Sequence, residues 1–157
     1  MRTSNIYTIV TLKRWQGMDR ERILIKINEL DNYMNEIHQI MPTSFKQYQQ
    51  IEKKRACERL LQISVECIID IAALIVSGLR LGLPDGENDI FVKLVNAKVI
   101  TEEMGEKLKM MKGFRNIIVH EYSRINDEIV YDILVNRLDD FKEFRREIVG
   151  WLNRYKR

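Results

Sequence analysis

The chain has 157 residues, 45% of them hydrophobic and 31% charged, with 26 basic and 23 acidic side chains and a formal net charge of +3. That length suits one domain with a real core and leaves little room for a second. The composition excludes a disordered chain, and the slight basic excess permits RNA binding without requiring it.

Residues 1–17 differ from the rest of the chain. They show no clear amphipathic helix, end in Lys13-Arg14-Trp15-Gln16-Gly17, and lack the apolar core and cleavage site of a signal peptide. They are expected to be a poorly packed extension, or to precede an alternative natural start at Met18. Residues 18–157 are expected to form a single domain.

With only two prolines and seven glycines, long uninterrupted elements are expected. Five helical segments account for nearly everything, and no strand pattern, internal repeat or low-complexity segment appears. The first helix runs from about Arg20 to Gln39, with Ile23, Ile27, Leu30, Met34 and Ile37 on one stripe. Met41-Pro42-Thr43-Ser44 ends it, and Thr43 or Ser44 is the candidate N-cap of the next. The second helix is long, about Phe45 to Leu79, and its later half is apolar on most sides, which makes it the central, most buried element. Gly78, Gly82, Pro84, Asp85 and Gly86 break it. A short third helix covers about Asp89 to Lys98.

Thr101 caps the fourth helix, where Glu102 and Glu103 suit its N-terminal dipole. This helix carries Met104, Leu108 and Met111 on one stripe and should end between His120 and Ser123. Asn126 caps the fifth, whose apolar face (Ile129, Ile133, Leu134, Leu138, Phe141, Phe144, Ile148, Leu152) continues almost to the C-terminus.

Cys57 and Cys67 are the only cysteines, ten residues apart on the second helix. At about 1.5 Å rise per residue their Cα atoms lie roughly 15 Å apart, too far for a disulfide. They read as reduced core residues of a cytoplasmic protein. No Cys/His cluster has zinc spacing, so neither a metal nor another cofactor is expected. The longest apolar stretch, Ile68 to Val76, is interrupted by Asp70 and is far shorter than a membrane span.

The most informative segment is Arg115-Asn116-Ile117-Ile118-Val119-His120-Glu121-Tyr122. Arginine is always charged and presents a planar fork to phosphate oxygens. Histidine can give or take a proton near neutral pH. The pair is a minimal kit for cleaving a phosphodiester without a metal.

Arginine, four residues, histidine, one residue, tyrosine resembles the signature of the HEPN superfamily of ribonucleases, and more narrowly that of the HepT toxins. The resemblance extends to Arg55–Gln62 and Glu66–Ala72, which look like that family's long second helix, and to Leu108–Phe114 leading into the motif. It covers about Asp19 to Tyr155. It implies an all-α HEPN-type bundle of about five helices with one long central helix. It also implies a homodimeric endoribonuclease toxin acting on RNA. Its partner would be a nucleotidyltransferase antitoxin that silences it by attaching adenylate to Tyr122.

In the implied reaction the ribose 2′-OH attacks the adjacent phosphorus. His120 serves as general base or acid, Arg115 stabilises charge on the phosphorane, and Asn116 positions the phosphate or orients the imidazole. On an ideal helix Asn116 and His120 share a face, but Arg115 and His120, five residues apart, point about 140° from each other. Two arrangements could bring them together. The helix could unwind after Val119, or two chains could each place Arg and His in a shared cleft; the resemblance favours the second.

Each site residue also has a plain structural reading. His120 would be a histidine suiting the dipole at a helix C-terminus. Arg115 would be half of an ion pair, with Glu66 and Asp70 on the second helix as the obvious carboxylates; these could also orient it for catalysis. Tyr122 would be a packing loop tyrosine, and His38 is structural or solvent-facing. Lys142, Arg145, Arg146, Arg154, Lys156 and Arg157, interleaved with Trp151 and Tyr155, form either an RNA-binding surface or, on the plainer reading, a solvated helix face. The alternative function is a non-catalytic HEPN module that binds a nucleotidyltransferase.

Overall fold

The structure is a computed structural model that describes residues 18–120 and 125–155. The expectations for residues 1–17 and for Tyr122, Lys156 and Arg157 lie outside the described residues. Those described form seven α-helices and no strand: α1 Arg20–Ile40, α2 Phe45–Tyr48, α3 Ile51–Gly78, α4 Glu87–Asn96, α5 Glu102–His120, α6 Asp127–Asn136 and α7 Leu138–Arg154.

Four of the seven starts, those of α1, α2, α5 and α6, carry side-chain caps. Asp19 accepts from the Arg22 amide, Ser44 from Gln47, Thr101 from Met104, and Asn126 from Glu128 and Ile129. Each side chain satisfies amides that the first helical turn leaves unpaired.

Two of the expected helices are each broken in two. The second splits after Tyr48, where Gln50 adopts extended backbone (ψ 131°) before α3 begins. No proline or glycine stands there; packing makes the break. Tyr48 is fully buried, and both it and Phe45 pack their rings on Tyr131 of α6, with centroids 6.0 and 5.5 Å away. Tertiary contact overrides helix propensity. The fifth splits at Arg137, so the apolar face is not continuous: Ile129 is exposed while Val130 and Leu134 turn inward.

The stops of α3 and α4 are Schellman turns built without glycine. Leu81 N–H reaches the Val76 carbonyl and Val99 N–H the Leu94 carbonyl. The left-handed residues are Arg80 (φ 55°) and Lys98 (φ 63°).

Helix α3 is the spine. By length and composition it is apolar enough to cross a membrane. Here it serves as a core helix, contacted by α1, α2, α4 and α5. Helix α1 lies antiparallel on it: Lys53 Nζ donates to the Ile40 carbonyl at one end, and Met18 packs on Gly78 at the other. Helix α7 runs antiparallel to α1, joined by Arg145–Asp31 (2.7 Å) and by Arg20 donating to the Leu152 carbonyl. It also meets α5, where Lys107 lies 2.8 Å from Glu143 and 3.4 Å from Asp140. Those carboxylates hold the Lys107 ammonium above its ordinary pKa, the Glu143 hydrogen bond contributing most.

Candidate active site

Helix α5 carries the motif, and its seat is set by α4. The two helices run antiparallel and approach closely at Gly105, where a Cβ would stand 2.7 Å from Val95 Cγ2. At the far end of the same contact, the start of α4 faces the end of α5. There Lys112 donates to Asn88 (3.2 Å), and Arg115 Nη2 donates to both carboxylate oxygens of Glu87, at 2.5 and 2.6 Å.

The carboxylate on Arg115 is therefore not the expected one. Glu66 accepts from Gln62 on its own helix (3.0 Å), and Asp70 is exposed and lies 3.5 Å from Lys26 of α1. Neither is bonded to Arg115 in the single chain. The spacing of Glu66 and Asp70 on α3 was legible, but which face of α3 meets α5 was not. Glu87 was missed because the third helix was expected to start two residues later. The signal that could have found it is an acidic residue directly after Gly86, in the first turn of a helix.

The Arg115 side chain is 15% exposed, and its Nε is buried without a hydrogen-bond partner among the described residues. Asn116 is half-buried, and His120 is exposed as the last described residue of the helix. Helix α5 does not unwind after Val119; it is helical through His120. Arg115 and His120 are thus about 140° apart around one helix and roughly 7.5 Å apart along it. Arg115 is turned to α4, while Asn116 and His120 share another face. On this one helix the two side chains therefore leave in divergent directions.

The remaining candidates are less involved. His38 is exposed near the end of α1. Trp151 is buried and stacks on Tyr155 at 4.9 Å, and Arg145 is engaged with Asp31. Trp151 is thus part of the core rather than an exposed ring. Cys57 and Cys67 are buried free thiols. Burial pushes both up in pKa, Cys67 to about 11.

The chain is similar to several known proteins. A family model described as ribonuclease HepT-like matches residues 30–148. The chain is 39% identical over 84 residues to the mRNA nuclease HepT of Shewanella oneidensis, covering 54% of this chain and 63% of that one. It is 26% identical over 128 residues to the tRNA nuclease HepT of Aphanizomenon flos-aquae, covering 81% and 87%. Among solved structures, a toxin–antitoxin complex with AMP-PNP superposes with a TM-score of 0.78 at 30% identity, over 83% of this chain and 99% of that one. The tri-AMPylated HEPN toxin of Shewanella oneidensis, in complex with its MNT antitoxin, superposes at 0.76 and 32% identity, over 82% and 96%.

The fold and the motif thus define an all-helical protein of the HEPN class. Within it, the chain belongs to the ribonuclease HepT-like family.

Proposed function

We propose that the protein is an endoribonuclease, the toxin half of a toxin–antitoxin pair, and that its active site is completed between two copies of the chain. The observation that carries the composite site is the unbroken α5, on which Arg115 and His120 diverge. A second chain supplies what one helix cannot: an arginine and a histidine from opposite sides of a shared cleft.

In that cleft the RNA 2′-OH attacks the adjacent phosphorus, His120 moves the proton, and Arg115 stabilises the charge gathering on the phosphorane. Asn116, on the His120 face, steadies the phosphate or the imidazole. DNA has no 2′-OH and is not cut. The reaction needs no metal, because the cation is Arg115 and the acid–base group is His120.

The partner is a nucleotidyltransferase antitoxin that attaches adenylate to Tyr122. The supporting observation is that a superposing relative is a tri-AMPylated toxin bound to an MNT antitoxin. The phenol follows the proposed general base by two residues, so an adduct adds bulk and negative charge beside the phosphate site. Two reduced, buried thiols suit a cytoplasmic protein.

The deciding experiment is incubation of the purified protein with total RNA in EDTA. Cleavage leaving 2′,3′-cyclic phosphate ends is expected. Arg115→Ala and His120→Ala should each lower the rate by about 10²–10³ or more, the usual cost of one transition-state donor, with an unchanged melting curve. A requirement for magnesium would overturn the metal-free mechanism. Intact RNA would make the chain the non-catalytic binding module instead.

A further inference from the structure

We propose that Glu87 is a positioning residue for the cleavage reaction, acting through Arg115; this rests on the reading of Arg115 as the phosphate-stabilising cation. Glu87 is the first residue of α4, and both of its carboxylate oxygens accept from a single nitrogen of Arg115, Nη2. Charge-assisted bonds of this kind are among the stronger ones in proteins. The arginine is the more shielded partner: the Arg115 side chain is 15% exposed and that of Glu87 35%.

The geometry points to positioning rather than neutralisation. Glu87 uses one of the three guanidinium nitrogens. Nε is buried and has no hydrogen-bond partner among the described residues. Nη1 makes no hydrogen bond among the described residues, so a guanidinium edge remains for a phosphate oxygen. Without Glu87 the long side chain would sample several rotamers; with it, one is held. The anchor itself is rigid, because α4 is seated on α5 by the close approach at Gly105 and by the Lys112–Asn88 bond beside Glu87. Preorganised charge stabilises a transition state without reorganising during the reaction, and misplacement by about 1 Å can cost 10²-fold in rate.

The test compares Glu87→Ala, Glu87→Gln and Arg115→Ala on an RNA substrate in EDTA, with kcat and KM measured separately and melting curves recorded. Both Glu87 variants remove the same negative charge from the start of α4, so any effect on that helix cancels between them. Only glutamine keeps an oxygen that can accept from Nη2. Glu87→Ala is expected to lower kcat by about 10–100-fold with KM changed less than about threefold, and Glu87→Gln to recover a substantial part of the loss.

Wild-type kcat in Glu87→Ala, alongside an inactive Arg115→Ala, would overturn this inference and leave the ribonuclease reading standing. A faster Glu87→Ala would overturn it by making Glu87 a brake on Arg115. Equal losses in both Glu87 variants would replace positioning with a simple effect of charge. A wild-type protein that leaves RNA intact would overturn both this inference and the reading beneath it.

Discussion

Arg115 draws its meaning from its surroundings more than from its type. An arginine held by a carboxylate at two short distances is a common structural ion pair, and nothing in the pair alone says catalysis. What separates it from a structural pair is its place five residues before His120, in a family of ribonucleases. Tyr122 belongs to the same scale. Tyr122→Phe keeps the ring and removes the nucleophilic oxygen. It should remain an active nuclease yet resist silencing by a partner nucleotidyltransferase with ATP. Intact-mass measurement should show additions of about 329 Da per AMP on the wild type alone. An equal shift on the variant would move the modification elsewhere. Loss of cleavage in a folded Tyr122→Phe would make the phenol part of the chemistry.

Cys67 offers an independent check on the core. Burial pushes its thiol up to about 11, so at pH 8 the reactive thiolate is rare, whereas an unfolded cysteine with a pKa near 8.5 is partly ionised. A thiol-specific reagent should label Cys67 in the native protein about a hundredfold more slowly than in urea, or slower still. Rapid native labelling would mean that the α1–α3 contact opens readily.

At the scale of elements, the caps and the close approaches decide where α5 sits. Thr101 does two things at once: its hydroxyl accepts from the Met104 amide, and its own N–H and hydroxyl reach Glu147 of α7 at 2.7 and 3.2 Å. Thr101→Ala removes the cap and one link between α5 and α7. It should cost about 1 kcal/mol and lower Tm by about 2–4 °C, with little change in RNA cleavage, because the substitution lies roughly 21 Å along the helix from Arg115. Calorimetry and a cleavage assay on the same sample would check both halves. An unchanged Tm would mean that the cap is dispensable.

For the whole molecule, the question is whether the site spans two chains. Light scattering should give a dimer mass at micromolar concentration. Subunit mixing is the sharper measurement. Arg115→Ala retains His120, and His120→Ala retains Arg115. If each site takes its arginine from one chain and its histidine from the other, mixed dimers regain one working site. Random exchange of equal amounts would then restore up to about a quarter of wild-type activity, since half of the dimers are mixed and each carries one of two sites. No recovery, with exchange confirmed, would mean either that each chain carries its own site or that the shared cleft needs the arginine and histidine of both chains.

Helix identity was legible along most of this chain because the signals are local. The stripe Ile23, Ile27, Leu30, Met34, Ile37 lies inside as its spacing requires, and Ser44, Thr101 and Asn126 occupy the expected cap positions. The motif was legible for the same reason: eight consecutive residues carry it. The breaks at Gln49–Gln50 and Arg137 were not, since no proline or glycine marks them and the first depends on where Tyr48 finds Tyr131. The turns at Arg80 and Lys98 were equally hidden, because the usual left-handed residue is glycine. Above all, the partner of Arg115 could not be read. Glu66 and Asp70 had the right charge and spacing, but a spacing says only that residues share a face. Which face meets which neighbour is settled when α4 packs antiparallel on α5, a contact between residues 28 positions apart, and that is a property of side-chain volumes meeting in space, which no local pattern encodes.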